Sequence, residues 1–452
     1  MRQHPALLLL VWLAPAVGWA QEATVATPAP AATSSVTEAQ LMATQLYTDD
    51  DLTDRHLSFT EVRGLLNANR LFGVDHLGLT FDGRFRKGWT EETADFADIM
   101  RAYVQLGDDS TRFRFALGRL TLSQVGAARV DGALLGARLG SVLASLFGGL
   151  SPHPFTGALD PRFVIGGVGY DFKVPELNHA GGAAVQLYDG GLDRLYLSER
   201  VYVFFSPEWL FFGSAVIDLV PPRGLIGDLA KKSAEEQNAL ERIDLTQAHL
   251  MLRYRPSRTI DFTFSANHFH TILPNRWWTD FIAEERARRG FIIDGFDPLG
   301  TRRSSARLLT NVHLGDVFTP YLSLRYDRRH LDPAQGYEVT LGLKLLPGTV
   351  SYADLAVTQR RFFAAENQLL SMAVGTMVGD FVSLDVQGSA MRTRSLAGGE
   401  AILIYDFGAT VGAELSSLGL AGMRAMVAYQ GFLEPEIGYH VVFAQLGYRF
   451  RG

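Results

Sequence analysis

From residue 75 to the end of the chain, apolar and polar positions alternate with a period of two. Leu77, Leu79, Phe81, Gly83 and Phe85 share one phase, while His76, Thr80, Asp82, Arg84 and Arg86 share the other. The same alternation runs through 245–255, 258–269, 336–346 and 381–391. Successive side chains of a strand point to opposite faces, so this is a strand period. The segments run to about 10–12 residues. That exceeds the ~5–6 of an ordinary soluble strand and suits the ~9–11 that a tilted strand needs to cross a bilayer.

The connections point the same way. Tight turns at Pro256-Ser257, Gly315-Asp316, Pro347-Gly348 and Gly379-Asp380 join pairs of segments, and longer loops at 220–242, 270–303, 328–335, 360–366 and 393–400 separate the pairs. A meander through a membrane sorts its connections like this, with short periplasmic turns and long extracellular loops. The predicted fold is therefore all-β: a transmembrane antiparallel meander β-barrel over 53–452, of about 20 strands in a range of roughly 18–22. A strand-like piece at 57–68 is a candidate for an extra strand. The Gly-rich stretch 118–150 is the irregular part, because the alternation shifts parity near Arg119.

The N-terminus has a different pattern. Residues 1–20 carry Arg2, an apolar core from Leu7 to Leu13, and a small-residue ending at Val17-Gly18-Trp19-Ala20. This reads as a cleaved export signal, too short for a spanning helix. Residues 21–52, rich in Ala, Thr, Pro and Ser and ending at Asp49-Asp50-Asp51, read as a flexible periplasmic segment. No other stretch approaches the ~18 consecutive apolar residues of a membrane helix.

Composition narrows the class. Among 452 residues, 47% are hydrophobic, 20% are charged and 45 are Gly, with a net charge of −6 and no Cys. The weak acidic balance argues against a nucleic-acid partner. The lack of Cys excludes disulfides, thiolate metal ligands, a thiol nucleophile and a lipoprotein anchor.

On these segments and loops, the sequence resembles the bacterial outer-membrane β-barrel class, and within it the porin-like channels. The last strand, with Val442, Ala444, Leu446, Tyr448 and Phe450 in phase, is similar to the C-terminal signal by which such barrels reach their insertion machinery. That signal usually ends on its aromatic residue, whereas Arg451 and Gly452 follow here. Aromatics near segment ends, such as Phe205, Trp209, Tyr254, Tyr405 and Phe407, fit interfacial girdles. The resemblance implies an outer-membrane location in a Gram-negative-type bacterium. It also implies the lipid bilayer and the insertion machinery as partners, and passive diffusion of ions or small polar solutes. A closed structural or receptor barrel is the alternative, and a barrel hydrolase the second alternative.

In such a barrel the polar face lines the lumen. The candidates there are Asp82, Arg84, Arg86, Asp98, Arg101, Arg112, Arg114, Arg253, Arg325, Glu338, Lys344 and Asp385. The Arg cluster from Arg84 to Arg114 reads either as a basic ladder for anionic solutes or as a wall network paired with Asp82, Asp98 and Asp131. Loop 270–303, with Trp277, Trp278, Glu284, Glu285, Arg288 and Arg289, is one candidate for an inward-folded constriction, and 220–242 is another. No G-x-S-x-G, H-E-x-x-H or P-loop occurs. Asn267 and Ser265 are out of phase with His268, so they make a poor triad, and His268 and His270 lack a third metal ligand. No enzyme activity, cofactor or metal is expected, and the oligomeric state is open.

Overall fold

The computed structural model describes residues 37–50, 55–220, 243–270, 302–329, 335–346, 351–362, 365–435 and 437–451, apart from 92, 109, 154–156 and 380. Within them lie β1 (Thr37–Asp50), β2 (Arg55–Asn69), β3 (Leu77–Gly88), β4 (Phe96–Leu106), β5 (Phe113–Leu122) and β6 (Ala128–Leu139). Next come β7 (Val142–Leu150), β8 (Phe163–Val174), β9 (Leu177–Tyr188), β10 (Gly191–Ser206), β11 (Trp209–Val220) and β12 (Asp244–Tyr254). They are followed by β13 (Ile260–Phe269), β14 (Arg303–Val312), β15 (Phe318–Arg329), β16 (Gln335–Leu345) and β17 (Ser351–Phe362). The last are β18 (Ala365–Val378), β19 (Val382–Ser395), β20 (Ile402–Glu414), β21 (Met423–Glu434) and β22 (Ile437–Arg451).

These form one 22-stranded sheet in which each strand pairs antiparallel with its neighbour in sequence. β1 then returns to β22, from Glu38 opposite Arg451 to Asp50 opposite Tyr439. The sheet is thus a closed barrel. Closure gives every strand a neighbour on both sides and removes the exposed edges that would otherwise template aggregation. Among the described residues, no helix is long and apolar enough to cross a membrane.

The twenty expected segments correspond to β3–β22, and the piece at 57–68 is β2. One boundary needs correction. The wall begins at Thr37 and not at 53, because β1 lies within the stretch expected to be a flexible tail. Its alternation is diluted on both faces. Ala39, Ala43 and Gln45 share the outward phase with Leu41 and Tyr47, while Met42 and Leu46 share the inward phase with Gln40 and Thr44. Pairing with β2 on one side and β22 on the other, rather than its own periodicity, makes this segment a strand.

Both termini of the barrel lie at one end. The turns at that end are mostly short, as at 175–176, 207–208 and 379–381, and the opposite end carries the long connections 151–162, 221–243 and 270–302. The sorting is a bias, not a strict rule: 189–190 is a tight turn at the long-loop end, and 415–422 is a longer connection at the other.

Candidate functional site: the barrel interior and its inserted hairpin

The two faces of the wall differ sharply. One face presents exposed apolar side chains, among them Leu117, Leu135, Leu146, Leu341, Leu355, Val357, Met372, Val386 and Val427. The other presents charged and hydroxyl side chains that meet across neighbouring strands, so it is the interior.

On β2–β4 the interior charges are locked together. Asp82, 2% exposed in its side chain, accepts from Arg63 at 3.1 Å and from Arg101 at 3.0 Å. Asp98 lies 3.6 Å from Arg84 and 3.2 Å from Arg129. Arg86 holds Glu61 at 2.8 Å and lies over the Phe59 ring. Asp98 and Arg101 are three residues apart and would face opposite ways in a regular strand. A register shift between Asp82 and Gly83 absorbs Met100, so both reach the interior.

The irregular Gly-rich stretch is the most consequential part of the interior. β4 and β5 pair only from Ala102 opposite Arg119 to Leu106 opposite Phe115. Beyond that point β5 pairs with β6 alone up to Leu122 opposite Ala128, and the hairpin tip leaves the wall. The tip is a single 3-10 turn, Ser123–Val125, closed by Gly126 at φ 65, a left-handed conformation that glycine adopts without steric cost. It folds into the barrel. Val125 is 1% exposed and clusters with Leu120, Leu122, Val130, Leu134, Phe147, Ile165, Ala184, Tyr196 and Val216. The Tyr196 hydroxyl donates to the Val125 carbonyl oxygen at 3.3 Å. A Cβ on Gly182 would stand 2.8 Å from the Val125 side chain, so the bare glycine on β9 makes room for the tip. Burying each large apolar side chain of this cluster contributes about 1.5–3 kcal/mol.

The other face of the hairpin is polar and meets β4. Arg119 forks onto Asp131 at 2.6 and 2.7 Å and donates to the Ile99 carbonyl oxygen at 2.9 Å. Thr121 donates to the Met100 carbonyl oxygen at 3.5 Å, and Arg129 reaches Asp98. Side chains thus replace the missing ladder between β4 and β5. The parity shift seen near Arg119 is therefore a bend. The hairpin keeps its phase, but the side that faces outward at Leu117 faces the β4 wall at Arg119.

The connection 151–162 lies beside this junction, with a Cβ on Gly157 falling 2.8 Å from Asp98 Oδ1. Within it the Arg162 guanidinium and backbone N–H hold the Asp160 carboxyl below the usual carboxylate range. Burial pushes the His153 imidazole down, and its ring packs edge-on against Phe163.

Most of the remaining candidates stand on the interior face of other strands. Arg114 donates to Gln105 at 3.2 Å. Arg253 stands opposite Thr263. Arg325 pairs with Asp327 at 2.8 Å. Glu338 stands between Arg325 and Arg360. Lys344 lies over the Tyr321 ring, and Asp385 accepts from the Tyr352 hydroxyl at 2.9 Å. Arg112 is different: it sits in the turn before β5, over the Phe113 ring. Tyr448 and Phe450 share the outward face of β22, opposite Leu41 and Ala39 across the closing seam. Trp277, Trp278, Glu284, Glu285, Arg288 and Arg289 lie outside the described residues, as does 221–242. His268 bonds Ser304 and Asn267 bonds His249, so Ser265, Asn267 and His268 do not converge.

The inserted hairpin carries no catalytic motif, and periodicity alone did not single it out. The available signals were the parity shift and the apolar residues flanking the Ser123–Gly126 turn.

No protein-family model and no curated protein matches the chain. Among solved structures, the chain is similar to the outer membrane protein OpdK from Pseudomonas aeruginosa, at 10% identity and a TM-score of 0.46, covering 92% of this chain and 99% of that one. It is also similar to the P pilus usher (PapC) translocation pore, at 10% identity and a TM-score of 0.47, covering 92% and 99%. A third similar structure is OccAB4 from Acinetobacter baumannii, at 8% identity and a TM-score of 0.42, covering 93% and 99%. At such identities and scores the barrel is established by the pairing of this chain's own strands.

Proposed function

We propose that the chain is an outer-membrane channel of porin-like type, which lets ions or small polar solutes diffuse through the barrel past the inserted β5–β6 hairpin, and that it is not an enzyme. The observation that carries this reading is the closed ring with an apolar outer face and a charged inner face. A bilayer accepts only strands whose backbone groups are all paired, and a ring of this size leaves an aqueous interior unless segments fill it. In the same reading, residues 1–20 direct export, Tyr448 and Phe450 serve as the insertion signal, and loop 270–303 or loop 220–242 folds inward as a further constriction. Detergent-refolded mature protein in planar bilayers tests the channel: discrete ohmic conductance steps are expected, and deleting 276–292 is expected to enlarge them.

A second reading has its own support. The apolar cluster under the hairpin occupies the interior side of β7–β11, which suits a resting barrel that is closed. Wild-type protein without conductance, and conductance appearing only after the hairpin is trimmed, would favour it.

A further inference from the structure

Half a ring away from β4, one register row crosses the interior face. Arg307 on β14 stands directly opposite Arg325 on β15, Arg325 opposite Glu338 on β16, and Glu338 opposite Arg360 on β17. Like charges placed directly across a strand pair destabilise a sheet. Arg325 is compensated by Asp327 at 2.8 Å, but that carboxylate is already shared with Arg303 at 2.8 Å and is 3% exposed. Arg307 has no such acid. Its Nε donates to the Ser323 hydroxyl at 2.8 Å, and its cross-strand neighbours are Ser265 and Arg325. Among the described residues no carboxylate comes within ion-pair reach of it. The row therefore holds a surplus positive charge on a wall that bounds the interior.

We propose that Arg307, together with Arg325, forms a docking point for a small oxyanion, the carboxylate or phosphate group of a solute inside the barrel. A guanidinium is a rigid fork of donors that matches two oxygens of such a group. An anion seated between the two arginines relieves the repulsion between these directly opposed like charges. Free diffusion of solutes to this point rests on the channel reading above, whereas binding itself does not.

The test uses the full mature protein in detergent, titrated calorimetrically with inorganic phosphate and separately with acetate, and the same protein in planar bilayers under a potassium chloride gradient. Binding of at least one anion and a preference for chloride over potassium are expected. Arg307→Gln weakens binding about tenfold, the loss of one charge-assisted hydrogen bond, and moves the permeability ratio toward one. Arg307→Lys keeps the charge and most of the ion preference but loses part of the binding, because the fork is gone. Lys87→Gln, next to the opposite wall's outer loop, changes neither. If Arg307→Gln does not fold, Arg325→Gln takes its place. Phosphate binding without acetate binding, or the reverse, assigns the oxyanion. Absence of conductance with intact, Arg307-dependent binding overturns the channel reading and leaves the docking point standing. No binding in the wild type, or binding indifferent to both arginine variants, overturns the docking point.

Discussion

The Tyr196 hydroxyl on β10 donates a hydrogen bond to the carbonyl oxygen of Val125, a residue 71 positions earlier at the tip of the β5–β6 hairpin. The contact ties the inserted tip to the wall at β10. Tyr196→Phe keeps the ring packing and leaves the carbonyl without its donor, at a cost of about 1 kcal/mol. Tyr196→Ala opens a cavity as well and costs about 3–5 kcal/mol. Urea unfolding in lipid or detergent reads both. Equal effects for the two variants would mean the ring does not pack as described.

Asp98 is the polar counterpart. It is shared between Arg84 on the wall and Arg129 on the hairpin while its side chain is 7% exposed. Asp98→Asn strands both arginines and costs about 2–3 kcal/mol. It should also loosen the hairpin, so channel recordings are expected to show more open-state fluctuation than wild type. Quiet recordings with an unchanged unfolding midpoint would show that Asp98 does not tether the hairpin.

The two faces of β16 respond oppositely to charge. Leu341 is 61% exposed on the outward face, and neighbouring Thr340 points inward to Thr358 at 2.8 Å. Leu341→Arg places a cation against lipid and costs about 2–4 kcal/mol near the bilayer midplane. Thr340→Arg loses one hydroxyl pair, about 1 kcal/mol. Yields of heat-modifiable folded protein in vesicles should follow that order, and the reverse order would invert the assignment of faces.

At the end that holds the termini, Asp108 joins two turns. Burial pushes its carboxyl up, but the Ser110 hydroxyl, the His76 ring and the Ser110 N–H outweigh burial and hold it down at about 2. A carboxyl depressed in the folded state contributes stability above its unfolded value of ~3.9 and loses it as pH falls toward the folded one. Wild type is therefore expected to be more stable than Asp108→Asn at neutral pH. The two acid-unfolding curves should converge between about pH 4 and pH 2. Parallel curves across that range would contradict the clasp.

Much of the barrel was legible in the sequence because a membrane wall imposes its own pattern. Lipid selects Leu341, Leu355 and Val357 on one face, and water with paired charges selects Glu338, Asp354 and Thr358 on the other. β1 escaped because Ala39, Ala43 and Gln45 weaken the outer phase while Met42 and Leu46 blur the inner one. The inserted hairpin escaped for a different reason. Its strands keep their geometric phase, and the apolar residues change parity near Arg119 only because the surroundings of each face change where the wall bends. Arg119 keeps the phase of Leu117 yet meets the Ile99 backbone instead of lipid. Periodicity reports a strand's two faces but not what lies opposite them.

The central claim is that the barrel conducts and that the β5–β6 tip narrows it. Single-channel conductance in planar bilayers, compared between wild type and a variant in which 123–127 is replaced by a two-residue Asn-Gly turn, tests it most directly. Discrete steps in the wild type and larger steps in the variant are the expected result. Steps of the same size in both proteins would contradict the claim.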